Sequence, residues 1–347
     1  MIYDAAVIGC GRIGCSFDDD PNRVFVSTHA GAYAKVSGVE LVALADIDEQ
    51  KLAEWGNKLK VSSTYTDFKM MLKDKQPDIV SVCTSDDSHL DVAIAVAESG
   101  AKAVFCEKPI AETLSAAKTI IDVCAANDVL LMVNHKRRFS PFFQAVAKFL
   151  SEGHLGEIQH VNVFYVAGLA NTCSHIFDLL RFFFGEITCV QGWESRSPSP
   201  YPQDPNVDGW LWFEKNFSAT LQACDVSSYY ILDITILGST GRLRVKTGTH
   251  DDIEYEALGP SPHASEYNEL LSAKSPFPAY LHPDKGIMIA TVSHLLECLD
   301  DSKQPICNGK DGLKSLEIIC AFRESLARDG ARVELPLQSC DSTKLSG

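Results

Sequence analysis

Apolar residues in the first third of the chain come in short unbroken runs. AAVIG (5–9), VELVALAD (39–46), PDIVSVCT (77–84), KAVFCE (102–107) and VLLMVN (129–134) are each of strand length. Between them the spacing changes to three and four. Leu90, Ala93, Ile94 and Ala97 share one face of a helix that Gly100 stops. Ala117, Ile120, Ile121 and Cys124 repeat the pattern behind Thr113, a suitable N-cap. Unbroken apolar strands alternating with helices predict a parallel sheet covered on both faces.

Past about residue 155 the texture changes. EIQHVNVFYV (157–166), CVQGWES (189–195), GWLWFE (209–214), SATLQAC (218–224), YILDITILG (230–238) and GRLRVKT (241–247) follow closely, with a turn at Gly238-Ser239-Thr240-Gly241. They predict a mostly antiparallel sheet. SPSPYPQDP (197–205) reads as a loop. Met288, Val292, Leu295 and Leu299 stripe one closing helix; Leu313, Leu316 and Cys320 stripe another. The fold class is therefore α/β: a doubly wound parallel sheet, then an α+β domain with a large open sheet. The expected division is 1–128 and 129–347.

A net charge of −15 argues against nucleic acid or an anionic membrane as partner, because phosphate neutralisation needs clustered cations. Lys136-Arg137-Arg138 is too short to change this; it reads as a solvated edge, or as a contact for a small anionic ligand. The opening MIYDAAVIGCG has no basic leader, and no run reaches membrane-span length. Twelve cysteines are scattered without C-x-x-C or zinc spacing; Cys83, Cys106 and Cys224 sit in apolar runs as small core residues. These features predict a cytoplasmic protein without a structural metal.

GCGRIG (9–14) follows the first strand directly. Glycines at Gly9, Gly11 and Gly14 let a strand turn tightly into a helix whose N-terminus, with Arg12 and Ile13, holds a pyrophosphate. Asp46, ending the second strand, is placed to bind ribose hydroxyls. It lies farther along than the usual ~20 residues. SFDDDPNRVFVST (16–28), with turn residues and three successive acids, accounts for the excess as an inserted loop. Asp46 and the absence of arginine in IDEQ (47–50) favour NAD over NADP.

In the order and spacing of GCGRIG (9–14), HAGAY (29–33), ALADID (43–48), CTSDDSH (83–89), EKPIAET (107–113), NHKRRFSP (134–141), NTCSHIFDLLR (171–181) and ILGSTGRLRV (236–245), the chain resembles the Gfo/Idh/MocA oxidoreductase family. The likeness runs from residue 3 to about residue 250 and more faintly beyond. It implies an N-terminal Rossmann domain for NAD or NADP and a C-terminal domain whose sheet face serves homo-oligomerisation, as dimer or tetramer. It implies that Lys108 lies between nicotinamide and a substrate hydroxyl, beside Glu107, and that His175 is the catalytic histidine. Thr84, Ser85 and His89 fall on positions that contact or flank the cofactor, and Arg138 on a substrate-side position.

The residues fit that chemistry. Glu107 and Lys108 end an apolar strand, where ligands of open α/β sheets bind, and Pro109 fixes the turn, with a cis bond as one route. At about 100° per residue, Ile176, Leu179, Leu180 and Phe183 form one face of a helix. Asn171, His175 and Asp178 share the opposite face, and Phe182 projects the same way. A helix apolar on nearly all sides is buried, so its polar stripe needs partners. The family's commonest pattern has aspartate where this chain has Asn171; asparagine can orient a substrate but cannot act as a base. The reading is an NAD-dependent oxidoreductase acting on a ring carbinol or ketone of a sugar, cyclitol or nucleotide sugar. NAD-dependent glycoside cleavage and a non-catalytic dinucleotide or sugar sensor are the alternatives.

Overall fold

The computed structural model describes residues 2–247, 253–278, 281 and 286–337. They divide into two compact units, one of residues 2–140 with 286–316 and one of 141–278 with 317–337. The closing helix stripe of Met288 thus belongs with the first unit, and so does the strand at 130–133. Both lie beyond the boundary expected at 128, because they pack with the first unit.

In the first unit the elements alternate: β1 (Tyr3–Ile8), α1 (His29–Tyr33), β2 (Val39–Ala45), α2 (Glu49–Leu59), β3 (Thr64–Tyr65), α3 (Phe68–Lys75), β4 (Ile79–Val82), α4 (His89–Glu98), β5 (Ala103–Cys106), α5 (Leu114–Ala126) and β6 (Leu130–Val133). The six strands pair in parallel in the order β3-β2-β1-β4-β5-β6, a doubly wound sheet whose strand order reverses beside β1. β4 and β5 are buried at every position, as expected of strands covered on both faces. Thr113 caps α5 through the amide of Ala116, and Gly100 follows α4 at φ 88°.

The second unit holds α6 (Pro141–Ser151), β7 (Ile158–Tyr165), α7 (Ser174–Phe184), β8 (Ile187–Glu194), β9 (Val207–Phe213), β10 (Ser218–Ala223), β11 (Leu232–Gly238), β12 (Gly241–Thr247), β13 (Ile253–Pro260) and β14 (Asn268–Ala273). α8 (Ile287–Asp301) and α9 (Gly309–Ala327) follow, and β15 (Val333–Glu334) closes the order β14-β13-β12-β11-β7-β10-β9-β8-β15. Among the described residues β7 and β10 pair in parallel in this sheet, and the other pairs are antiparallel. α7 buries Ile176, Phe177, Leu179, Leu180, Phe183 and Phe184. At about 1.5–3 kcal/mol per large apolar side chain, this helix is a principal anchor of its unit.

The expected helix directly after GCGRIG is not continuous. Residues Ser16–Asp19 form one turn of 3-10 helix, and α1 begins only at His29. Yet the amides of His29 and Ala30 donate to the carbonyls of Ile13 (3.1 Å) and Gly14 (3.0 Å). In an α-helix the carbonyl at 13 would be answered at 17, so the helix is spliced across a loop of twelve residues.

Candidate functional site

The carboxyl ends of β1, β2, β4, β5 and β6 carry most of the residues singled out in the first unit. Gly9 turns the chain out of β1 at φ 99°; a Cβ there would come within 2.6 Å of the Cys83 backbone. At Gly14 a Cβ would stand 2.0 Å from the Gly9 carbonyl, whereas a Cβ on Gly11 would meet nothing within 4 Å. The turn is thus closed beneath and open above, which suits a pyrophosphate approaching the backbone.

Asp46 ends β2. Its Oδ2 accepts the Cys10 amide at 2.7 Å and its Oδ1 accepts the Asp48 amide at 2.9 Å, so the glycine turn and the β2 end are fastened by one carboxylate. Gly9, Gly11, Asp46, Ile47, Thr84 and Ser85 border a cleft of about 440 Å³. A dinucleotide's adenosine half fits these residues: backbone at the phosphates, a carboxylate at the ribose and the exposed Ile47 side chain for the base. Arg12 lies over the Phe17 ring at 4.6 Å, and Arg23, from the inserted loop, over the same ring at 4.1 Å. The Thr84 hydroxyl accepts from Ser88 at 2.7 Å, and the Ser85 hydroxyl donates to Asp87. His89 is buried; its imidazole spans the carbonyls of Thr84 (3.1 Å) and Pro109 (3.0 Å) and so links the β4 and β5 loops.

Glu107 and Lys108 end β5, and the Lys108–Pro109 peptide is cis. Glu107 is buried. Its Oε1 accepts from His29 Nε2 at 2.8 Å and from Asn134 Nδ2 at 2.5 Å; its Oε2 faces the Lys108 amide at 3.3 Å. Burial pushes this carboxyl up, but the His29 hydrogen bond and charge, the Asn134 hydrogen bond and the Lys108 charge outweigh it and hold it below the usual range. Lys108 itself is half-buried. His135 follows Asn134 and is buried as a neutral imidazole. Burial first, then the charges of Arg138 and Lys108, push it down to about 3 against the opposing Asp311 and Glu107.

The basic cluster is not the solvated edge that its composition suggests. Arg137 and Arg138 are buried. Arg138 is compensated by Asp311 at 3.1 Å and donates to the Ile306 carbonyl at 3.0 Å, so its charge holds that segment.

In the second unit His175 is half-buried near the start of α7, and Asn171 is exposed before it. The α-helical wheel does not extend back to Asn171, because Leu169–Cys173 form a π-helix. The Asn171 side-chain amide donates to the Ala167 carbonyl at 3.0 Å. Asp178 is fully buried, as a polar position on a buried helix. The π-helix is held from the Pro-rich loop: Asp204 accepts the amides of Ala170 (2.7 Å) and Asn171 (2.8 Å), and Asn206 accepts that of Gly168 (2.8 Å). Sequence reasoning missed Asp204, Asn206, His29 and Asn134. HAGAY (29–33) and NHKRRFSP (134–141) contain His29 and Asn134, but spacing alone assigns neither a role.

Cys83 and Cys106 are buried thiols as expected, and Cys224 is half-buried. Among the described residues no cluster of three or more His, Cys, Asp or Glu side chains is set to hold a metal, and no helix is long and apolar enough to cross a membrane.

Comparison with known proteins agrees with this geometry. Residues 4–135 match the model of an oxidoreductase family with an NAD-binding Rossmann fold, and residues 148–335 match that family's C-terminal alpha/beta domain. D-apiose dehydrogenase of Paraburkholderia graminis is 27% identical, over 96% of this chain and 90% of the relative. scyllo-Inositol 2-dehydrogenase (NAD(+)) of Bacillus subtilis is 24% identical, over 96% of each. Among solved structures, the WlbA dehydrogenase from Bordetella pertussis, in complex with NADH and UDP-GlcNAcA, superposes with a TM-score of 0.77 at 23% identity, over 97% of this chain and 100% of that one. Levoglucosan dehydrogenase in complex with NADH and levoglucosan gives 0.80 at 18% identity, with the same coverage.

Proposed function

The chain belongs to the Gfo/Idh/MocA oxidoreductase family, and from that premise we propose that it oxidises a ring carbinol of a sugar, cyclitol or nucleotide sugar, or reduces the matching ketone, with NAD. The observation that carries the reading is the gathering of an open glycine turn, Asp46, Thr84 and Lys108 at the carboxyl ends of one parallel sheet. The names of the relatives, an apiose and an inositol dehydrogenase, support the substrate class.

The glycine turn and Asp46 hold the dinucleotide, which when bound accepts or returns a hydride. Lys108 offers its ammonium to the substrate oxygen, which gains negative charge as the C–H hydride departs. His175 accepts the hydroxyl proton, a task suited to an imidazole near neutral pH. Asn171 assists as a neutral polar group, since it cannot take a proton. The cytoplasm is the compartment this chemistry suits.

The test is a panel of sugars, cyclitols and nucleotide sugars with NAD, followed at the NADH absorbance band, paired with NADH-dependent reduction of keto sugars. Net NADH formation or consumption with a member of the panel is expected. Glycoside cleavage without net NADH, or NADH binding without any turnover, would replace the reading.

The half-exposed face of the second sheet, with Trp210 at 39% and Trp193 at 44% exposure, is proposed as the surface through which copies of the chain associate. Light scattering should give a dimer or tetramer, and Trp210→Asp should shift it toward monomer. A monomeric native protein would dismiss this assignment.

A further inference from the structure

We infer that His29 is the positioning residue for the Glu107–Lys108 turn, acting through a buried relay that begins at Tyr33. The inference rests on the role proposed for Lys108.

The relay runs across three elements of the first unit. Tyr33 OH lies 2.7 Å from Ser81 Oγ, Ser81 Oγ lies 2.8 Å from His29 Nδ1, and His29 Nε2 lies 2.8 Å from Glu107 Oε1. Tyr33, Ser81 and His29 are 2%, 0% and 0% exposed, so water cannot supply a missing partner. Burial pushes the Tyr33 phenol up, against the hydrogen bond with Ser81, and keeps its hydrogen in place. His29 Nε2–H donates to the carboxylate, and Ser81, joined to the Tyr33 hydroxyl, meets Nδ1 on the other side of the ring. The Phe105 ring, 4.3 Å from the imidazole centroid, fixes its plane.

Glu107 receives this hydrogen bond on Oε1, together with that of Asn134, and holds the Lys108 amide with Oε2. Orienting one carboxylate oxygen orients the other, and with it the peptide unit that carries the lysine. A carboxylate in this place cannot lose a donor without cost, because a buried charge left short of hydrogen bonds is strongly unfavourable. The sequence placement is telling. His29 opens α1 just where the spliced helix resumes, so Thr28 and Asp18 of the inserted loop set its position. Thr28 caps the Gly31 amide, and Asp18 holds the Ser27 amide at 2.6 Å.

Two substitutions of nearly equal size separate positioning from packing. The amide nitrogen of Gln reaches as far as imidazole Nε2, and that of Asn only as far as Nδ1. Hydrogen exchange of the Lys108 amide is measured on the full chain with NADH bound. His29→Asn should speed that exchange about tenfold, the scale of one lost charge-assisted hydrogen bond. The amides of Gly11 to Gly14, and the Glu107 amide bonded to Val82, should be unchanged. NADH should bind within about twofold of the native affinity, because the glycine turn and Asp46 are left intact. His29→Gln should restore slow exchange. Ser81→Ala, which removes only the middle hydroxyl, should speed the exchange in the same direction and to a lesser degree, and it serves if His29→Asn does not fold. Unchanged Lys108 exchange in the folded variants, or equal acceleration throughout the first unit, overturns the inference. Normal turnover by Lys108→Ala would instead overturn the role given to Lys108 and leave the exchange result standing.

Discussion

Both carboxylate oxygens of Asp46 already accept backbone amides, and each keeps a lone pair for a ribose hydroxyl. A 2′-phosphate would bring like charge to the same place. The one lysine bordering the cleft, Lys51, pairs loosely with Asp48 at 3.7 Å. NADH should therefore bind at least about tenfold more tightly than NADPH, the scale of one charge-assisted hydrogen bond. Asp46→Ser should narrow the gap; fluorescence titration with both cofactors decides, and tighter NADPH binding by the native protein is the contrary result. At Lys108 the expectation divides differently. Lys108→Ala keeps the glycine turn and Asp46, so NADH binding should survive, while turnover should fall on the order of 10²–10³ with the loss of a cation at the reacting oxygen. Steady-state rates with the substrate found in the panel check this, and near-normal turnover would assign the lysine to structure alone. These residues were legible because each ends an apolar strand. His29 and Asn134 were not, because the carboxylate they hold is 78 and 27 residues away in the chain.

At the scale of elements, the strands with strong apolar contrast were legible almost to the residue, as GRLRVKT shows against β12. β13 and β14 were not, because their alternation is shallow and no residue of β13 is buried. The π-helix before α7 has no residue signature; it depends on Asp204 and Asn206 in a loop whose prolines announced only irregularity. The loop at 16–28 was legible as an insertion but not as a splice, since a hydrogen bond from the His29 amide to the Ile13 carbonyl leaves no trace in spacing. It is also tied down, through Asp18 to Thr28 and Asp19 to Lys58. The splice makes a sharp expectation. Deleting residues 16–27 leaves Cys15 and Thr28 between Gly14 and His29, the number that a continuous helix requires. Such a variant should fold and bind NADH within a few-fold of the native affinity. It gives up the exposed Asp19–Lys58 ion pair, worth about 0–1 kcal/mol, together with the Asp18 hydrogen bond to Thr28 and the Arg12–Phe17 contact, and it removes a loop whose closure entropy is small. Circular dichroism and NADH titration test it. Loss of NADH binding by more than about tenfold would make the loop part of the phosphate turn.

For the whole molecule, the buried ionisable groups of the first unit set how it responds to acid. His135 is held neutral, pushed down from 6.5 to about 3 by burial and then by Arg138 and Lys108. Between those values the unfolded chain binds a proton that the native chain refuses, so stability falls as pH falls, by about 1.4 kcal/mol per pH unit at full effect. Glu107, held below its ordinary value of 4.5, acts in the same direction at lower pH. Its contribution is complete above that value and is lost as pH drops through the lowered one. The first unit should therefore loosen progressively below about pH 6.5, the ordinary histidine value. Hydrogen exchange by segment at pH 7, 6 and 5, corrected for the intrinsic pH dependence of amide exchange, should show protection falling in β4, β5 and β6. His135→Gln removes the titrating ring and should lower the pH slope of unfolding by nearly one proton. NADH at 100 times its dissociation constant should add about 2.7 kcal/mol to the native state at each pH, provided that its affinity holds. A slope unchanged in His135→Gln would mean that the imidazole is already charged in the native protein, and that Arg138 and Lys108 are screened from it.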